Sequence, residues 1–301
     1  MPTVIYSSQS HTGNVRANNE DNLYCGGATL TPENRELPFT ISGEAEVPCI
    51  FAVCDGMGGQ EDGEFASFSA VNALTELEYE LKSYTPVKTD EHVQKYVTKV
   101  NAYLCDVMSE KSVRIGSTLA LVIITPDSVM PYNIGDSRIY QCTNGKLRQI
   151  SEDHTLTMQK VKMGILTEEQ ARTDRDRHKL TRYLGIFEDE MIIEAEQHLA
   201  LARSEHQRLL LCSDGLTDML PDARIEEIMR DMPTTAEAAD HLLKEALDNG
   251  GKDNTTIIVI DIPPTEPHME QEQRKKSILT SVKLAVTELP KYIKRGRSEK
   301  K

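Results

Sequence analysis

Ile50-Phe51-Ala52-Val53-Cys54-Asp55-Gly56 is an apolar run that stops on an aspartate and a glycine. Three more stretches are built the same way. They are Tyr132-Asn133-Ile134-Gly135-Asp136-Ser137-Arg138, Leu209-Leu210-Leu211-Cys212-Ser213-Asp214-Gly215, and Asp253-Asn254 leading into Thr255-Thr256-Ile257-Ile258-Val259-Ile260 after Gly250-Gly251-Lys252. Asn19-Glu20-Asp21 adds an acidic cluster near the start. Short apolar, β-branched runs bounded by turn residues read as buried strands. One Asp-Gly is a common turn, but so many acids at strand ends carry a cost. Carboxylates gathered there repel one another and need a counter-charge, most simply a divalent cation.

The rest of the composition is consistent with this. A chain of 301 residues is long enough for one large domain or two small ones. Trp is absent, so the core falls to Val, Ile, Leu and Ala. A net charge of -14 argues against a nucleic-acid surface and suits a cation-binding cleft. No run of 18 apolar residues suggests a membrane span, and no secretion signal is evident, so a cytoplasmic location is expected. The six cysteines form no C-x-x-C pair and read as core packing in a reducing compartment, with no zinc site.

Strand-like and helix-like periods alternate along the chain. Strands are expected at residues 4–8, 23–25, 51–54, 118–124, 129–134, 138–142, 209–212 and 255–262, with a hairpin turn at Thr143-Asn144-Gly145-Lys146. Helices are expected over about 64–83, 91–108, 222–232 and 235–248. Residues 27–48 read as a loop or irregular hairpin, and 151–190 as a polar, helical interruption. Strands, then helix pairs, then more strands suit antiparallel sheets covered by helices. The catalytic domain is expected to span 1–265. Residues 266–301 hold ten Lys/Arg against five Glu, with a stripe of Ile278, Val282, Ala285 and Leu289. This basic amphipathic segment reads as a partly disordered tail or a helix docked on its own domain, with attachment to a partner or an anionic membrane surface as the alternative.

Oxygen ligands without nearby His or Cys point to Mg²⁺ or Mn²⁺. Gly56 has no side chain, so its carbonyl can approach a cation. Two such ions can activate water and neutralise charge in an in-line phosphoryl displacement. Arg16, four residues before Glu20, offers a guanidinium fork for phosphate oxygens.

Val15-Arg16-Ala17-Asn18-Asn19-Glu20-Asp21-Asn22, Val53-Cys54-Asp55-Gly56-Met57-Gly58-Gly59, Gly116-Ser117-Thr118, Asn133-Ile134-Gly135-Asp136-Ser137-Arg138, Leu180-Thr181-Arg182-Tyr183-Leu184-Gly185, Cys212-Ser213-Asp214-Gly215-Leu216 and Gly251-Lys252-Asp253-Asn254-Thr255-Thr256 follow one another in the chain. In this order they resemble the motifs of the metal-dependent protein phosphatases of type 2C, in the bacterial branch. The resemblance covers about residues 3–262. It implies an α+β fold, an α-β-β-α sandwich of two antiparallel sheets flanked by helix pairs. It also implies hydrolysis of phosphoserine or phosphothreonine on proteins by a metal-activated water, with two Mn²⁺ or Mg²⁺ ions. Asp55 would bridge the ions, Asp214 and Asp253 would bind the first, and the Gly56 carbonyl the second. Glu20 and Asp21 would hold waters of the second ion, Arg16 would grip the substrate phosphate, and Asp136 would share a third, weaker ion with Asp214. Residues 151–190 would form the flap, with His154 fixing its base and Arg138 paired with buried acids. Phosphorylated proteins and a cognate serine/threonine kinase are the implied partners.

Two departures bear on catalysis. Many eukaryotic members have His after the metal-binding Asp-Gly, where this chain has Met57; bacterial relatives often have His after Gly-Met-Gly-Gly, where it has Gln60. Neither residue donates a proton usefully near neutral pH, which leaves a metal-bound water, on the Asp136 ion, as the expected acid. Asp136→Ala should then lose far more activity on an alkyl phosphate than on p-nitrophenyl phosphate. The competing readings are a catalytically silent phosphoprotein-binding or scaffold domain of the same fold, and a two-metal nuclease or phosphodiesterase.

Overall fold

The structure is a computed structural model and describes residues 3–34, 38–58, 62–81 and 86–265. Its centre is β5 (Cys49–Met57), which contains the quoted run. Ile50, Ala52 and Cys54 project to one side of this strand, and Cys49, Phe51 and Val53 to the other. Both sides are dry, which is why the run is apolar without alternation. β5 pairs antiparallel with β2 (Asp21–Cys25) and with β7 (Leu119–Ile124). β3 (Ala28–Thr29), β8 (Ser128–Ile134) and β11 (Glu196–Gln197) extend this sheet to the order β11-β8-β7-β5-β2-β3. β6 (Gly116–Ser117) pairs with β5, and β12 (Leu201–Ala202) with β8.

The second sheet runs β10 (Lys146–Gln149), β9 (Arg138–Thr143), β13 (Gln207–Cys212), β14 (Thr255–Ile262), β1 (Thr3–His11), β4 (Phe39–Glu46). It repeats the two-sided burial. Leu209, Leu211, Ile258 and Ile260 join Phe51 and Val53 between the sheets, while Leu210, Cys212, Ile257 and Val259 face helices. Those helices are α6 (Asp222–Asp231) and α7 (Thr235–Asp248), which bring Ile225, Ile228, Leu242 and Ala246. On the other sheet α1 (Asp62–Glu80) and α2 (Pro86–Lys111) contribute Ala66, Leu74, Val97 and Leu104. Three apolar layers thus separate four structural ones, and the sandwich of two antiparallel sheets between helix pairs is the fold expected from the sequence.

Residues 27–48 are not a mere loop. β4 pairs along β1 from Thr3↔Glu46 to Ser10↔Phe39. It is an edge strand with one side wet, so it has no apolar run to announce it. α2 also reaches further than the 91–108 stripe, starting at Pro86; proline's fixed φ suits a first helical turn. The flap is mostly turns, with only the short helices α3 (Leu156–Lys162) and α4 (Glu168–Ala171). Bridges Thr155↔Leu180 and Ser117↔Leu184 fasten its ends. No helix among the described residues is long and apolar enough to cross a membrane. The basic segment 266–301 and Gln60 lie outside the described residues.

Candidate active site

Antiparallel pairing puts the end of one strand beside the start of the next, and that gathers the acids. Asp55 lies near the end of β5, directly across from Asp21 at the start of β2. β13 ends at Cys212, paired with Ile257 of β14, so Asp214 and Asp253 flank the same end of the other sheet. Asp214 opens α5 (Asp214–Thr217). The Ser213 hydroxyl joins the two sheets by donating to Asp21 Oδ2 at 2.7 Å. Arg16 reaches across from the β1–β2 loop, its Nη2 donating to Asp253 Oδ2 at 2.6 Å.

The electrostatics record this crowding. Asp21 is 1% exposed. Burial, reinforced by Asp214 and Asp253, pushes its carboxyl up to about 7 against the opposing Ser213 and Thr256 hydrogen bonds. Burial lifts Asp55 well above the usual carboxylate range, and Asp21, Asp214, Asp136 and Asp253 lift it further. Asp136 is raised for the same first reason and by Asp214 and Asp153, with His178 opposing. Burial raises Glu20 too, and Arg16 opposes that rise. Each acid of the expected set is therefore within electrostatic reach of others. Asp21 Oδ1 is buried and has no hydrogen-bond partner. An orphaned carboxylate oxygen on a residue in register with Asp55 fits the chemistry of a hard-cation site.

Neutral groups hold the frame. The Asp55 amide donates to Thr118 Oγ1 at 2.9 Å, and Thr118 Oγ1 lies 2.6 Å from Ser137 Oγ. Asn254 accepts from the Glu20 amide and donates to the carbonyls of Thr12 and Asn18. Gly56 is required by close approach: a Cβ there would stand 2.0 Å from the Gly63 carbonyl oxygen and 2.6 Å from that of Glu20. Gly215 is equally confined, 1.9 Å from the Asn254 carbonyl oxygen. Met57 lines a neighbouring cavity of about 210 Å³ with Met108, Tyr183 and Phe187.

At the flap base His154 Nδ1 accepts from the Gly135 amide at 3.1 Å, and Nε2 meets Glu196 at 2.9 Å. Arg138 grips Asp153, with Nη2 2.6 Å from Oδ2 and Nε 3.0 Å from each carboxylate oxygen. Sequence reasoning gave no role to His178, Asp218, Asn254 or Ser213. His178 comes from the flap and contacts both Asp214 and Asp218. Those two carboxylates, Asp214 first, push its imidazole up to about 10. Nothing in its local sequence marks it, because its partners are supplied by tertiary contact. Asn254 sits in a quoted motif, but its role needs the loop it ties.

Comparison with known proteins gives the family to which this fold belongs. Residues 38–249 match the model of the family described as Protein phosphatase 2C. The serine/threonine phosphatase stp of Listeria monocytogenes serotype 4b is 33% identical over 256 residues, covering 83% of this chain and 92% of that protein. The serine/threonine protein phosphatase PstP of Mycobacterium tuberculosis is 33% identical over 258 residues, 85% of this chain but 45% of that protein. The crystal structure of the M. tuberculosis phosphatase PstP/Ppp superposes with a TM-score of 0.72 at 30% identity, over 86% of this chain and 99% of that one. The PstP catalytic domain solved with two manganese ions gives 0.70 at 29% identity, over 87% and 99%. The chain belongs to the protein phosphatase 2C family and is an enzyme of that class.

Proposed function

We propose that this chain hydrolyses phosphoserine and phosphothreonine on proteins at a dinuclear manganese or magnesium centre held by its carboxylate end. The observation that carries the reading is the buried, partnerless Oδ1 of Asp21. It belongs to a set of acids that raise one another's proton affinity, and such a set is at ease as anions only around a cation. Asp55, influenced by the four other aspartates, is the residue to bridge two ions. Asp214 and Asp253 would hold one and the Gly56 carbonyl the other, with Glu20 and Asp21 holding waters of the second. Asp136 would share a third, weaker ion with Asp214. When bound, the cations supply a water-derived nucleophile at neutral pH and offset the charge that develops in phosphoryl transfer.

Arg16 orients the substrate. Its side chain is 52% exposed and its present partner is Asp253. With Asp253 committed to a cation, the guanidinium fork can take two phosphate oxygens. Thr118 and Ser137 fix the Asp55 backbone, and Asn254 fixes the loop that carries Glu20 and Arg16. The substrate class is supported by the names of the relatives, serine/threonine phosphatases. A cognate kinase, a cytoplasmic location, and contact of residues 266–301 with a partner or anionic membrane complete the reading and rest on sequence. The test is phosphate release from phosphoserine and phosphothreonine peptides by the purified full chain with Mn²⁺. Chelation, Asp55→Asn and Asp214→Asn should each abolish it, and DNA and phosphodiesters should stay intact. A manganese-loaded wild-type protein that releases no phosphate refutes the proposal.

A further inference from the structure

His178 belongs to the flap, 36 residues before Asp214, yet it sits at the acid cluster. Both ring nitrogens are engaged by carboxylates: Nδ1 lies 3.2 Å from Asp214 Oδ2, and Nε2 lies 3.3 Å from Asp218 Oδ2. Asp136 completes the group. One ligand atom from each of Asp136, His178 and Asp214 lies within 4.8 Å of the other two. Ligand atoms about 2.1 Å from one ion stand about 3.0 Å apart at right angles and about 4.2 Å apart across it. The 3.2 Å between His178 Nδ1 and Asp214 Oδ2 is close to the right-angle value. The far side of the imidazole is also built as metal-binding histidines require. A carboxylate on Nε2 fixes the ring plane and leaves Nδ1 to the metal, and Asp218 occupies that place.

We propose that His178 is a flap-borne nitrogen ligand of the cation shared by Asp136 and Asp214, oriented from behind by Asp218, so that filling this site ties the flap to the catalytic end. The inference rests on the reading of Asp214 as a metal residue and adds a donor of different chemistry. Oxygen ligands alone accept Mg²⁺ and Mn²⁺, whereas imidazole nitrogen binds first-row transition ions, Co²⁺ and Zn²⁺ above Mn²⁺, in preference to Mg²⁺. The site therefore distinguishes these ions although the rest of the cluster is all oxygen. His178→Ala should weaken the lowest-affinity Mn²⁺ site about tenfold or more and leave Mg²⁺ binding unchanged. Asp218→Asn should weaken the same Mn²⁺ site by about 10- to 100-fold.

The experiment is a Mn²⁺ titration of the full chain followed by electron paramagnetic resonance. Counting free ions gives the number of sites, and a pulsed measurement detects ¹⁴N coupled to bound Mn²⁺. Trypsin supplies a second readout at the exposed flap residues Arg172, Arg175 and Arg177. The expected result is ¹⁴N coupling that appears as the weakest site fills, with slower flap cleavage, and the loss of both in His178→Ala. The side chain is 45% exposed, so this variant is expected to fold. Three bound ions without ¹⁴N coupling, a protein that saturates at two ions, or coupling that persists in His178→Ala, overturns the inference alone. A protein that binds no Mn²⁺ overturns it together with the dinuclear reading.

Discussion

Asp21→Asn should stabilise the metal-free protein, and only above mildly acidic pH. Asp21 is 1% exposed, lies opposite Asp55 in register, and leaves Oδ1 without a partner. Its carboxyl is raised from 3.8 to about 7 by burial first and by neighbouring acids after it. A raised acid makes folding easiest where both states are protonated, below about pH 4. Stability is then lost as pH rises from there through about 7, where the folded state at last releases its proton. At about 1.4 kcal/mol per unit the shift is worth on the order of 4 kcal/mol by pH 8. An amide is never ionised, and its oxygen can still accept from the Ser213 hydroxyl. With about 2–4 °C per kcal/mol for a domain of this size, the variant should melt roughly 10 °C higher than wild type at pH 8 in chelator. The gap should close towards pH 4. Thermal melts of both proteins from pH 4 to 8 in EDTA measure it, and Mn²⁺ should narrow it by stabilising wild type more. Melting curves that fall in parallel, or a variant less stable than wild type at pH 8, would show that this carboxylate is not strained.

Three other perturbations follow from the same geometry. Gly56→Ala places a Cβ against two backbone carbonyl oxygens at 2.0 and 2.6 Å, neither able to rotate away; a loss of about 3 kcal/mol or more is expected in urea unfolding. Arg138→Met leaves Asp153 without its three guanidinium contacts and should cost about 3–5 kcal/mol, read as a lower urea midpoint and faster proteolysis of residues 151–190. Arg16→Lys keeps the charge but loses the fork, so kcat/KM on phosphopeptides should fall at least about tenfold with folding unchanged; an unaltered kcat/KM would remove Arg16 from the phosphate.

The elements legible in the sequence were those buried on both faces. β5, β13 and β14 each carry a run of apolar residues facing both cores, so their runs can be read directly, and α7 spans the bounds expected from the sequence. β4 was not legible because its strand character comes from pairing along β1, not from its own alternately exposed residues. The same distinction separates the site residues. Asp55 and Asp214 terminate buried strands, so topology alone brings them together. His178 is held by contacts of a turn-rich flap, and no local period encodes where such a segment docks. Arg16 is expected from the sequence to bind phosphate, and in this structure its guanidinium donates to Asp253.

The acids of this molecule fall into two kinds by the company they keep. Asp153 is as buried as Asp136, at 8% and 9% exposure, but a bidentate Arg138 neutralises it and it fastens the flap base. Asp174 and Asp176 on the flap are likewise held by Lys160. Around Asp21, Asp55 and Asp136 the chain supplies hydroxyls, amides and backbone instead of lysine or arginine. Those neutral donors fix the frame without cancelling its charge, and the strain is borne by the apolar layers beside it. Had a guanidinium filled the cluster, the protein would be more stable and could bind no cation. Arg16 and His178 are the two exceptions, and each occupies a carboxylate that a metal would claim. Arg16 is half-exposed on a loop and can yield its carboxylate without moving a strand, while His178 on the flap can remain as a donor to the ion that takes Asp214. The charge left unbalanced at the ends of these strands is thus the feature on which the proposed metal-dependent chemistry rests.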